Sequence, residues 1–433
     1  MKLDNPHLDH FPSLVAMFFD RAERGGESPF LWHKADRAWQ PLSWRQVANQ
    51  VAALAHNLRA LGLKEGDRVV LVSENRPEFC IADLAIMAAG CITVPTYTTN
   101  TERDHQHILD NSGARAVIVS TAKLARTLMP AVMRSDAHIV ISMESLRVGQ
   151  QGKMAVHDWA PLVEGGEAHL ADAKARGLAM TRDDTACLIY TSGTGGAPRG
   201  VMQHHGAILH NAAGAAEVLV NDFGIGDEEV FLSFLPLSHA YEHSGGQFLP
   251  IMVGAQIYYS EGLEKLVSNI EETKPTIMVV VPRLFEVIRA RMIKSVEKQG
   301  KLANWMLSQA LRVGEKDYER RLGVLDRPVD LILNKLFRPK IQQRFGGRMK
   351  ALVSGGAPLN PEIGVFFHSI GLTLLQGYGQ TEAGPVISCN RTSVGLKMDT
   401  VGPPLMNTEV RIADDGEICV RGELVMKGYW RNK

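Results

Sequence analysis

Cysteine is scarce in this chain of 433 residues. The five present, Cys80, Cys91, Cys187, Cys389 and Cys419, are scattered and odd in number, with no Cys-x-x-Cys pair. That pattern excludes a disulfide scaffold and a zinc knuckle, and it fits reduced thiols in a cytoplasmic compartment. An excess of one charge sign is missing as well, with 47 Lys and Arg against 47 Asp and Glu. Nothing in that balance points to nucleic acid or to an anionic partner. No apolar run is long enough to span a bilayer; the most apolar stretch, residues 81–95, is too short and carries Asp83. The first residues, Met1-Lys2-Leu3-Asp4-Asn5-Pro6, lack the apolar core of a secretory signal. Repeats and low-complexity tracts are absent too. What is there, 45% hydrophobic and 22% charged residues, describes a globular chain expected to be soluble. Its length calls for two or three lobes.

The first part alternates between helical and strand periodicity. Ser43-Trp44-Arg45-Gln46 forms a capping box, and Val47, Val51, Leu54, Leu58 and Leu61 follow at helical spacing before Gly62. Residues 67–73 read as a buried strand. Helices and strands then recur at 78–89, 92–95, 103–111 and 116–120, and further strands are expected at 230–235, 256–259, 277–281 and 350–354. Such alternation predicts an α/β fold with parallel sheets covered by helices. Residues 283–348 form a long charged region of helical character, including 302–307 and 313–322. From Val401 onward, glycine and proline punctuate short alternating runs at 409–413 and 417–420, predicting a small antiparallel β unit.

Three elements carry chemistry. The first is Tyr190-Thr191-Ser192-Gly193-Thr194-Gly195-Gly196-Ala197-Pro198-Arg199-Gly200. A strand is expected before it at 186–190 and a helix after it at 205–218. A hydroxyl- and glycine-rich loop between strand and helix turns backbone N–H groups toward an anion, and Arg199 adds a cation suited to phosphate. The Gly-Lys-Ser/Thr ending of a Walker A loop is missing. The second element is Gln376-Gly377-Tyr378-Gly379-Gln380-Thr381-Glu382, and the third is Ser354-Gly355-Gly356-Ala357-Pro358. A further stretch, Leu235-Pro236-Leu237-Ser238-His239-Ala240-Tyr241-Glu242-His243, contains His-x-x-Glu-His, the inverted zinc-peptidase pattern.

In order and content these elements resemble the adenylate-forming superfamily of acyl-CoA synthetases, luciferases and peptide-synthetase adenylation domains. The family loop usually reads Thr-Ser-Gly-Thr-Thr-Gly-x-Pro-Lys-Gly; here Gly195 replaces the second threonine and Arg199 the lysine. The resemblance implies the family's large N-terminal domain. Two helix-covered β-sheet subdomains are expected over about residues 1–398 and a small antiparallel β-barrel-like subdomain over about 399–433. Gly422-Glu423-Leu424 through Gly428-Tyr429-Trp430 matches a late family element, after which the family's ribose aspartate and mobile C-terminal lid domain are expected to be absent.

By the same resemblance, ATP or AMP is held by Thr191, Ser192, Gly193, Thr194, Gly195, Gly196 and Arg199, by Gly356, Ala357 and Pro358, and by Gln376, Gly377, Tyr378, Gly379, Gln380 and Thr381. Tyr378 offers its flat face to adenine. Glu382, with Thr191, is the Mg²⁺ ligand, as suits an ion that takes hard oxygen donors. Glu382, His239 and Arg199 are the catalytic candidates, with His239 beside the acyl carboxylate. The helical region at 283–348 resembles long-chain fatty acyl-CoA synthetases in particular. The expected reaction is activation of a fatty acid with ATP and transfer to coenzyme A, slow in this chain, with no nucleic-acid partner. A cytoplasmic location follows, with peripheral membrane contact for lipid uptake left open. Three alternatives stand beside it: a fatty acyl-AMP ligase loading a carrier protein, a nucleotide- and lipid-binding module without turnover, and a zinc peptidase using His239, Glu242 and His243.

Overall fold

A computed structural model describes residues 10–146, 154–191, 196–226 and 228–432. Their strands are β1 (Pro29–Ala35), β2 (Ala38–Ser43), β3 (Arg68–Val72), β4 (Ile92–Thr96), β5 (Ala116–Val119), β6 (Ile139–Ser142), β7 (Ala155–Asp158), β8 (Thr185–Thr191), β9 (Arg199–His204), β10 (Val230–Ser233), β11 (Gln256–Tyr259), β12 (Ile277–Val280), β13 (Ala351–Ser354), β14 (Leu374–Gly379), β15 (Val386–Cys389), β16 (Glu409–Ile412) and β17 (Ile418–Arg421). One sheet runs β7-β6-β5-β3-β4-β8-β9 and the other β15-β14-β13-β12-β10-β11-β1-β2. Both are parallel inside and antiparallel at the edges β9, β2 and β15.

Alternation along the strands sorts side chains between layers. Val69 and Leu71 join a central core while Val70 and Val72 face an outer one. The central core also takes Phe231, Ile257 and Ile277 from the second sheet, so the helices Leu14–Gly25, Trp44–Ala60, Pro77–Ala88 and His205–Phe223 lie between the two sheets. On the far side of the second sheet, Leu232, Met278 and Leu352 pack with the helices Pro282–Glu297, Lys301–Tyr318 and Pro361–Ser369. The expected capping box is present: Ser43 Oγ accepts from the Gln46 amide at 3.2 Å, and Gln46 Oε1 accepts from the Ser43 amide at 2.8 Å.

Three readings change. The β1–β2 hairpin was not expected, and its strands sit at the edge of the sheet built mostly from later residues. The helix expected at 313–322 is the end of Lys301–Tyr318 and stops four residues earlier. The late β unit is a two-stranded ribbon, β16–β17, without the expected barrel-like closure. No helix of the described residues is long and apolar enough to cross a membrane.

Candidate active site

The hydroxyl-rich loop joins two strands. β8 pairs antiparallel with β9, and Thr191 lies directly opposite Arg199. The expected passage from loop straight into helix is therefore corrected. Arg199-Gly200-Val201-Met202-Gln203-His204 has strand periodicity, with Val201 and Gln203 fully buried, and folds back on β8 before His204 caps the helix His205–Phe223. The helix N-terminus at His205 therefore lies beyond β9 and does not directly follow the loop. Ser192, Gly193, Thr194 and Gly195 lie outside the described residues, and Gly196 is exposed. The hairpin is tied to its neighbours by His107 Nε2 at 2.7 Å from the Pro198 carbonyl and by Tyr190, whose hydroxyl donates to Asn111 Oδ1 at 2.6 Å.

The second element meets this hairpin across the sheet junction. After Gly379, the Gln380 amide donates to the Pro385 carbonyl and residues Thr381–Ala383 form a short 3-10 turn. Gln203 on β9 donates through Nε2 to the Thr381 carbonyl at 2.8 Å, joining the two motifs directly. Glu382 Oε1 accepts from the Tyr429 hydroxyl at 2.8 Å, and the Arg199 guanidinium lies over the Tyr429 ring, 4.0 Å from its centroid. Tyr429 is held there because residues 427–430 pair along the outer edge of β9: Met202 donates to the Gly428 carbonyl, and Lys427 and Trp430 donate to Met202 and Gly200. Tyr429 and Gln203 are the residues the sequence reading missed. Its only hint was the Gly-Tyr pair, since nothing in linear spacing says that Tyr429 returns to Glu382.

His239 stands at the N-cap of the helical turn Ala240–Glu242, and its Nδ1 accepts from the Tyr241 amide at 3.1 Å. Burial lowers its pKa, so the ring is neutral at neutral pH with its proton on Nε2, free to donate into the cleft. The zinc-peptidase pattern does not assemble. Glu242 Oε1 accepts from Ser233 Oγ at 2.6 Å, and His243 Nε2 bonds Asp83 Oδ2 at 2.8 Å inside the core, so the three side chains diverge. Burial pushes Glu242 up to about 8. The helical turn also continues through Ser244-Gly245-Gly246, by a π turn at His243–Phe248 into Leu249–Val253. Gly246 permits this, because a Cβ there would lie 2.3 Å from Glu242 Oε1.

Two cavities converge on His239. The larger, about 680 Å³, is lined by Thr191, Pro198, Arg199, Thr381 and Glu382, with Tyr97 and Asn100 opposite. The smaller, about 170 Å³, lies between Tyr241, Gly355, Gly356, Tyr378 and Gly379. His239, Gln380 and Thr381 border both. Gly356 adopts φ +81°, the left-handed region that favours glycine, so the turn after β13 presents backbone at the cavity wall. Gly377 lines the smaller cavity, whereas Gln376 is buried in β14 and borders neither; Ala357 and Pro358 are exposed beyond the turn and border neither. Both cavities open near the C-terminal ends of β8, β13 and β14, where α/β sheets bind ligands. The helical residues 283–348 contribute to neither wall.

The AMP-binding enzyme family matches residues 18–430. A long-chain-fatty-acid–CoA ligase of Mycobacterium bovis is 31% identical over 97% of this chain, which spans 69% of that protein's length. The long-chain-fatty-acid–CoA ligase 6 of Mus musculus is 30% identical over 98% of this chain, which spans 63% of that protein. Among solved structures, a benzoate CoA ligase from Burkholderia xenovorans aligns with a TM-score of 0.69 at 21% identity, covering 97% of this chain and 73% of that one, a likeness of fold.

Proposed function

The chain belongs to the AMP-binding enzymes of the adenylate-forming superfamily, and from that premise we propose that it activates a fatty-acid carboxylate with ATP and transfers the acyl group to coenzyme A. The observation that carries this reading is the meeting of Thr191, Arg199, Glu382 and His239, drawn from two sheets, around one cavity. A carboxylate is a poor acyl donor because its charge repels nucleophiles. Its oxygen attacks the α-phosphorus of ATP, the bond to the β-phosphate oxygen breaks, and pyrophosphate leaves with the electron pair. The sulfur of the thiol then attacks the acyl carbon and AMP departs.

On this reading each residue takes a part that its position supports. Arg199 and the Thr191 hydroxyl face the polyphosphate. The small cavity beside Tyr378 and the Gly356 turn takes a flat base. His239, neutral and donating from Nε2, sits where the two cavities meet and orients the acyl carboxylate. No protein nucleophile is required; positioning and charge stabilisation do the chemistry. The donor set suits Mg²⁺: Glu382 accepts the Tyr429 bond on Oε1, leaving Oε2, and Thr191 adds a hydroxyl on the same wall. Bound there, the ion would neutralise charge on the phosphates.

We read the paired sheets up to about residue 398 as the platform for nucleotide and acyl group, with the β16–β17 ribbon and residues 427–430 tied onto it. The names of the two ligase relatives favour long-chain acids and coenzyme A over a carrier protein. Fatty-acid-dependent exchange of labelled pyrophosphate into ATP tests the reading, and exchange that ignores the acid would contradict it.

A further inference from the structure

The even balance of charge holds only for the whole chain. Residues 283–348 carry 16 Lys and Arg against 7 Asp and Glu, so the remainder is acidic by the same margin. In the fold these residues form the helices Pro282–Glu297, Lys301–Tyr318, Arg327–Leu336 and Arg338–Arg344, outside the second sheet and away from both cavities.

The same region exposes apolar side chains. Val324 is 79% exposed, Leu325 91%, Leu331 68%, Ile332 49% and Leu336 55%, all within thirteen residues of one turn and one helix. The helix Arg327–Leu336 is two-faced: Leu333 and the following Phe337 are buried in the core beneath, while Leu331, Ile332 and Leu336 point outward with Arg327 and Lys335. Among the described residues neither Arg327 nor Lys335 is in a salt bridge. The apolar tip is also fixed in place. Asp326 is buried under the turn and receives Arg312 at 2.7 Å and Lys316 at 2.9 Å, which pull its carboxyl down to about 2.

We propose that this turn and helix dock the protein on an anionic phospholipid surface. Exposed leucine, valine and isoleucine side chains beside Arg327 and Lys335, in a region with an excess of Lys and Arg, match the acyl boundary of a bilayer and its charged headgroups. A second copy related by a two-fold axis fits poorly, because it would bring two basic regions face to face. The proposal rests on exposure and charge alone and stands apart from the chemistry of the cavities.

Vesicle sedimentation of the 433-residue chain tests it. The chain should bind vesicles containing phosphatidylserine, bind pure phosphatidylcholine far less, and release as salt rises. Leu325→Glu with Leu331→Glu should weaken binding about a hundredfold or more, since two buried leucines are lost. Arg327→Glu with Lys335→Glu should weaken it too and remove its salt dependence. Leu178→Glu, at an exposed leucine elsewhere, should leave it unchanged. Circular dichroism and nucleotide binding check that each variant folds. The proposal is overturned if neither vesicle binds, if both double variants bind like the parent, or if light scattering shows a dimer that Leu331→Glu disperses.

Discussion

The Tyr429 hydroxyl donates to Glu382 Oε1 across 2.8 Å. The same ring lies under the Arg199 guanidinium, so one side chain touches both the cation and the carboxylate assigned to polyphosphate and metal. Tyr429→Phe keeps the ring and removes the bond that orients the carboxylate. A hydrogen bond to a charged group is worth about 1.5–3 kcal/mol, part of which water replaces at this half-exposed site. The Mg²⁺ concentration for half-maximal exchange should rise several-fold while the fatty-acid requirement stays put. An unchanged Mg²⁺ dependence would show that the phenol does not orient Glu382.

Arg199→Ala should weaken ATP binding by about 1.5–3 kcal/mol, the usual cost of losing a charge-assisted contact to phosphate. A non-hydrolysable acyl-adenylate analogue, which has no β- or γ-phosphate, should bind nearly as before. Titration calorimetry with both ligands separates the cases. Equal losses would mean that Arg199 supports the fold of the cavity and does not read polyphosphate.

Glu242 makes stability depend on pH. Its folded-state pKa of about 8 lies above its ordinary 4.5, so between those values the folded protein holds a proton that the unfolded chain releases. This contribution is full below about 4.5 and is lost as pH rises toward 8, at up to about 1.36 kcal/mol per pH unit. Glu242→Gln keeps an acceptor for Ser233 and removes the titration. Denaturation midpoints across that range should fall less steeply in the variant than in the parent; parallel curves would remove Glu242 as the cause.

Chain length should matter to affinity. Each methylene buried adds about 0.8 kcal/mol, so palmitate should compete better than octanoate and octanoate better than acetate. Competition against a fluorescent fatty acid reads the order, and tightest binding by acetate would refute a long-chain site.

Much of this was legible in the sequence where periodicity is strong. The Ser43 capping box and the strands expected at 256–259 and 277–281 stand where local pattern puts them, the second ending one residue early at Val280. The failures have physical causes. β9 was hidden because a six-residue strand beside a glycine-rich loop has too little periodicity to separate it from the helix after it. The helix through Gly245-Gly246 survives against glycine's low propensity because the backbone must pass close to Glu242 and Val279. The contact of Tyr429 with Glu382 depends on residues 427–430 pairing along β9, which no linear spacing reveals. The basic character of residues 283–348, around the apolar face at 324–336, was masked by charge counted over the whole chain.

The central claim is that Glu382 serves adenylation in the cavity it shares with Thr191, Arg199 and His239. Fatty-acid-dependent pyrophosphate exchange by the parent and by Glu382→Gln, at matched thermal stability, tests it most directly. Removing one preorganised charged group should cost on the order of 10²–10³ in rate, with AMP binding largely kept. Exchange at the parent's rate in Glu382→Gln would contradict the account.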